Sequence, residues 1–129
     1  MHSKAACEKR HSTRATVSIA TRLLLSSAGP CKATAIDLST QGMGLITGSA
    51  VPVGVRCAVA FEVTTRHGRR RINAWATAIH CVRHGDQRFH IGIRLGEMDP
   101  DSRVLLEESI ADVISRAEGE SSKLAQHAS

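Results

Sequence analysis

Two short clusters in this chain hold side chains able to grip an anion or a nucleobase. The first is Lys9-Arg10-His11-Ser12-Thr13-Arg14, in which Arg10 and Arg14 stand at R-x-x-x-R spacing. The second is Asp37-Leu38-Ser39-Thr40-Gln41-Gly42. A guanidinium presents a planar fork of donors that matches phosphate oxygens bidentately, and also the O6/N7 edge of guanine. The Asp37 carboxylate is an acceptor, suited to guanine N1–H and the exocyclic amine. The Ser39 hydroxyl can donate to a phosphate or a base. Gly42 lets backbone approach a ligand closely, or takes φ > 0 in a turn. A guanine nucleotide with more than one phosphate would use all of these groups. Each cluster also has a plainer reading: D-x-S-x-x-G is ordinary turn chemistry, and R-x-x-x-R alone is a solvated basic stretch.

The elements that must position these clusters read mostly as strands. Residues 15–25 alternate Val17, Ile19, Thr21 and Leu23 on one face, the strand period. S-S-A-G-P, 26–30, is a turn, and 31–38 is a second strand with Cys31, Ala33 and Ala35 on one face. The polar cluster interrupts the chain, and 43–47 forms a short third strand. A loop at 48–54 leads to the clearest alternation, Val55, Cys57, Val59, Phe61 and Val63. Gly68 marks a hairpin tip within 65–69. A long fifth strand over 70–82, a turn at 83–87 and a sixth strand with Phe89, Ile91, Ile93 and Leu95 follow. The period then changes. Asp99 reads as an N-cap with Pro100 at the first helical position. Val104, Leu105, Glu108, Ile110, Ala111 and Ile114 fit an amphipathic helix ending near Ala117. Six antiparallel strands on short turns, then one helix, predict an all-β fold: a small barrel with the helix across one opening. The domain reading is a flexible basic arm at 1–14, barrel plus helix at 15–117, and a disordered tail at 118–129.

Composition narrows the function. Residues 1–96 hold 14 basic and 4 acidic side chains, and 97–129 hold 3 and 8, so a basic body carries an acidic end. The basic body calls for an anionic partner. With only Phe61, Trp75 and Phe89 as aromatics, a platform of several stacked bases is disfavoured. The four cysteines, Cys7, Cys31, Cys57 and Cys81, are far apart and show no zinc-knuckle spacing, so no metal is expected. No apolar run approaches the roughly 20 residues of a membrane span, and the first thirty residues are too charged for a signal peptide. The expectation is a cytoplasmic protein with reduced thiols. No catalytic constellation is visible, so it is not read as an enzyme.

R-x-x-x-R before a first strand, followed by (D/N)-x-S-x-x-G, resembles the signature of PilZ domains. Here the motif residues are Arg10 and Arg14, then Asp37, Ser39 and Gly42. Gly54-Val55 opening a strand that reaches Phe61, and Phe89 to Leu95, are similar to further family stretches, with Leu95 where Phe is commoner. The resemblance covers about residues 9–114. It implies a six-stranded barrel with a C-terminal helix, and a bacterial receptor for the second messenger cyclic di-GMP. Arg10 and Arg14 would grip phosphates and guanine edges, Asp37 and Ser39 would hold a guanine, and Gly42 would shape the turn. Lys9 holds the position that influences whether one ligand or a stacked pair binds, and is compatible with either. The resemblance implies no cofactor beyond that ligand. It also implies a separate protein target in motility, secretion or polysaccharide machinery. Two other readings stand beside it: a ligand-independent PilZ adapter and a small nucleic-acid-binding barrel. Trp75 is expected as a packing residue, because of the area a Trp buries.

Overall fold

The computed structural model describes residues 14–26 and 29–128, those after 116 by backbone alone. Six strands appear where the alternation placed them. They are β1 (Ala15–Leu25), β2 (Gly29–Leu38), β3 (Gly42–Thr47), β4 (Arg56–Thr65), β5 (Gly68–Arg83) and β6 (Phe89–Met98). All pair antiparallel in the ring β1-β2-β3-β6-β5-β4, and β4 returns to β1 to close the barrel. The β4–β5 hairpin shows how tightly local chemistry sets register. Thr65 pairs with Gly68 across the tip. The Thr65 hydroxyl accepts from His67 N at 3.1 Å and donates to Gly68 O at 3.0 Å. Gly68 has φ 102°, a conformation that L side chains rarely adopt.

The barrel interior collects the inward half of each alternation. Leu23, Ala35, Leu45, Val59, Ile72, Ile91 and Ile93 are all buried. Burying such side chains contributes about 1.5–3 kcal/mol apiece, which makes this shell the main favourable term of the fold. Among the described residues, no helix is long and apolar enough to cross a membrane.

One helix follows the barrel, α1 (Pro100–Ala128). Its start matches the expected cap: Asp99 Oδ1 accepts from Ser102 N at 2.8 Å. It packs against β1, β4 and β5, with Leu106 and Ile110 joining the barrel core. Two details differ from the sequence reading. Val104 is 52% exposed, and the buried stripe instead runs Ser102, Leu106, Ser109 and Ile110. Nor does the helix stop near Ala117, since its backbone continues to Ala128. Gly119 costs only about 1 kcal/mol in a helix, and the Glu, Lys, Leu, Gln and Ala around it are good helix formers.

Candidate functional site

The antiparallel pairing of β1 with β2 brings the two sequence clusters together. Ala15 is in register with Leu38, and Thr16 with Asp37, so the residue before β1 lies beside the end of β2. There Arg14 Nη1 donates to Asp37 Oδ1 in an ion pair. Both side chains keep contact with solvent, Asp37 at 28% and Arg14 at 49% exposure. Register slips on both sides of Asp37, between Thr16 and Ile19 against β1 and between Ala35 and Asp37 against β3. Such bulges re-aim a side chain, and here the carboxylate comes to lie on the outer face. Lys9 and Arg10 lie outside the described residues.

Ser39 is used differently. Its side chain is only 1% exposed. Its hydroxyl accepts from Gln41 N at 3.2 Å and Gly42 N at 3.0 Å, and donates to Gly42 O at 3.3 Å. The turn is tied to the barrel through Leu95 N, which donates to Gln41 O at 2.8 Å. Gly42 is required by close approach: a Cβ there would lie 2.6 Å from Ile93 O. In this structure the D-x-S-x-x-G cluster is thus a self-bonded turn that presents Asp37 at its upstream end.

Beyond the turn, the pairing aligns a row that crosses four strands. Asp37 is opposite Gly44, Gly44 opposite Gly92, and Gly92 opposite His80. The two glycines form a floor without side chains. At one end the Asp37 carboxylate leans over Gly44, where a Cβ would come within 2.5 Å of Oδ2. At the other the His80 ring lies over Gly92, where a Cβ would be 2.3 Å from Cε1. His90 stands edge-on to His80, with ring centroids 5.6 Å apart. Arg94 is exposed two residues along β6 from Gly92, and so points outward beside the same row. The arrangement offers an acceptor, an imidazole, two cations and a flat backbone floor, the requirements of a planar base with attached phosphates.

Gly44, Gly92 and Arg94 were missed by the motif reading. The one available signal was a glycine in each of two strands otherwise rich in large apolar residues, which marks close approach by another group. Trp75 is a correction: it is not a core residue but 46% exposed on the outer face of β5, with the Arg56 guanidinium 4.5 Å above its ring. The Arg56 cation covers one face of the exposed ring in a cation–π contact. Of the cysteines, Cys57 is buried, and Cys31 and Cys81 are partly buried and unbridged. Burial pushes the Cys57 thiol above its ordinary 9.0. Among the described residues, no three His, Cys, Asp or Glu side chains are grouped to hold a metal ion.

The family model for the PilZ domain matches residues 8–112. Similar solved structures include the Bacillus subtilis inhibitor of motility (MotI/DgrA), 12% identical with TM-score 0.70, covering 85% of this chain and 52% of that one. The PilZ domain of YcgR from Escherichia coli with c-di-GMP is 20% identical, TM-score 0.61, covering 89% and 98%. YcgR from the same organism, in complex with c-di-GMP, is 17% identical, TM-score 0.69, covering 90% and 50%. The chain spans about half the length of MotI and of YcgR, and at these identities the likeness is one of fold. No curated protein matches the chain significantly in sequence.

Proposed function

The chain belongs to the PilZ domain family, and on that premise we propose that it is a receptor for cyclic di-GMP that acts on a separate protein. The observation that supports this most directly is the Arg14–Asp37 pair at the edge of the glycine row. In the absence of ligand, each group satisfies the other. A guanine laid on Gly44 and Gly92 supplies N1–H and amine donors to Asp37 in place of the guanidinium. Arg14, released, turns to a phosphate. The exchange keeps every charge paired, so the carboxylate is never left bare in either state. Ser39 acts here by holding the turn, and Gly42 by letting that turn press against β6.

Arg10, and Lys9 before it, extend the same donor set from the arm at residues 1–14. Ordering each arm residue costs about 1–2 kcal/mol of conformational entropy, offset by charge-assisted bonds to two phosphates and two guanines. On this proposal, ligand contacts to Lys9, Arg10 and Arg14 fix the N-terminal segment against the barrel as a new surface for a partner in motility, secretion or polysaccharide machinery, a switch by ordering. This assigns binding rather than catalysis to the site, and a cytoplasmic setting where the messenger is found. MotI is described as an inhibitor of motility, and YcgR as a c-di-GMP complex. The expectation for this chain is of the same kind.

Calorimetry with cyclic di-GMP, beside GTP and an oligonucleotide at moderate salt, tests the proposal. Binding selective for cyclic di-GMP is expected. Arg10→Ala and Arg14→Ala should each weaken it at least tenfold, about 1.4 kcal/mol, while thermal melting stays that of a folded barrel. Absence of heat with the wild-type chain overturns the reading.

A further inference from the structure

A second concave feature lies away from the glycine row: a groove of about 900 Å³ on the outer face of β2, β1, β4 and β5. In the ring of strands β1 and β4 stand opposite β3 and β6, so this groove and the glycine row face away from each other. Its floor is low, because Ala20 and Ala60 point outward where larger residues would fill it. Its walls carry Arg22, Lys32, Arg69 and Arg71 against a single acid, Glu62.

The cations are poorly matched within the protein. Arg22 and Lys32 sit directly opposite each other on β1 and β2, an unfavourable placement for like charges. Glu62 pairs with Arg69 at 3.7 Å. Arg22, Lys32 and Arg71 have no ion-pair partner among the described residues. Hydroxyls of Ser18, Thr34 and Thr64 add donors between them. No exposed aromatic lines the groove, since Phe61 faces the core.

We propose that this groove docks an acidic segment of a partner protein, on the side of the barrel opposite the nucleotide row. Guanidinium forks and hydroxyls match carboxylates closely, and the alanine floor admits a backbone at short range. Nucleic acid fits less well: the groove offers no ring for base stacking, and Glu62 projects into the space a phosphate backbone would take. A protein segment of mixed sequence can set a cation against Glu62 instead. The groove then gives the target a hold that does not depend on the messenger, beside the switchable surface on the nucleotide side.

The test uses the full chain and ¹H–¹⁵N NMR. One arm adds a synthetic Glu-rich peptide of about ten residues, long enough to lie across several strands at their ~4.8 Å spacing. A second arm adds a duplex oligonucleotide of equal charge at matched salt. The peptide should shift the amides of Arg22, Lys32, Thr64 and Arg71 and leave those of Gly44 and Gly92 in place. Arg22→Gln/Arg71→Gln should weaken the peptide about tenfold or more and leave cyclic di-GMP affinity unchanged. Lys32→Gln alone should weaken it in the same direction, which keeps the test open if the double variant fails to fold. The proposal is overturned if shifts scatter over all basic residues, or if the variants bind the peptide normally. It is equally overturned if the oligonucleotide binds as tightly, or if sedimentation shows a self-association that these variants abolish. Because the variants lie away from the row, failure here leaves the receptor reading standing, and failure of cyclic di-GMP to bind leaves the groove untouched.

Discussion

Replacing Gly44 by alanine separates ligand binding from folding more cleanly than removing either charge. The added Cβ would sit 2.5 Å from Asp37 Oδ2 and 3.0 Å from its Cγ. The carboxylate is the mobile party and must swing off the row, breaking its pair with Arg14. That pair joins two partly exposed groups, so its loss costs at most about 1 kcal/mol. Alanine in place of a strand glycine returns about 0.5–1 kcal/mol of backbone entropy. The two nearly cancel, so the melting temperature should move by no more than about 4 °C. Binding is another matter. Hydrogen bonds to a charged acceptor contribute about 1.5–3 kcal/mol each, so a displaced Asp37 should lower cyclic di-GMP affinity at least tenfold. Gly42→Ala is the contrast. There the obstruction is Ile93 O at 2.6 Å, a main-chain atom in the β3–β6 ladder that cannot rotate away. Strain of about 1–3 kcal/mol should appear as a melting temperature lowered by roughly 4–12 °C. Differential scanning calorimetry and ligand titration on both variants decide the matter. If Gly44→Ala melts as early as Gly42→Ala, or binds ligand like wild type, the reasoning from the Asp37–Gly44 contact is wrong.

Ser39→Ala removes the acceptor for two turn N–H groups and should destabilise the protein by about 1–3 kcal/mol in urea unfolding; an unchanged midpoint would show that the turn does not depend on its hydroxyl. Leu106→Ala should cost about 2–5 kcal/mol by opening a cavity where α1 meets the barrel, whereas Val104→Ala, two residues away and exposed, should stay within about 0.5 kcal/mol. For Cys57 the folded thiol titrates above 9.0 because burial disfavours the thiolate, while the unfolded thiol ionises near its ordinary value. Its contribution is therefore complete below that value and is lost as pH rises toward the raised one. Urea midpoints of wild type and Cys57→Ala should converge as pH rises from about 8 to 10.5, and parallel curves would contradict the assignment.

The strands were legible because each buries one face, and alternation survives in a single sequence: Val59, Phe61 and Val63 needed no partner to be recognised. The Asp99–Pro100 helix start is equally local. What was not legible depends on pairing between distant segments. That Gly44 meets Gly92, and Gly92 meets His80, follows from register across β3, β6 and β5 and from a bulge between Ala78 and His80. No local pattern encodes such meetings. Trp75 was misplaced for a related reason: its position in the alternation sends it outward, and size alone argued for the interior. On the helix, Val104 and Leu106 differ by two positions, half a turn, and both are apolar; only the barrel opening selects which one is covered.

Closure of the sheet has a last consequence for how this protein can be read by others. With β1 joined to β4, every strand already has two neighbours. The seam itself is short, joining Thr21–Leu25 only to Cys57–Phe61, so the edge open to a partner strand, a common way for sheet proteins to recruit extended peptides, is narrowed there to the first half of β1 and the last residues of β4. Away from that stretch of the seam, a partner of the described barrel is held through side chains on its wall rather than by added strand pairing.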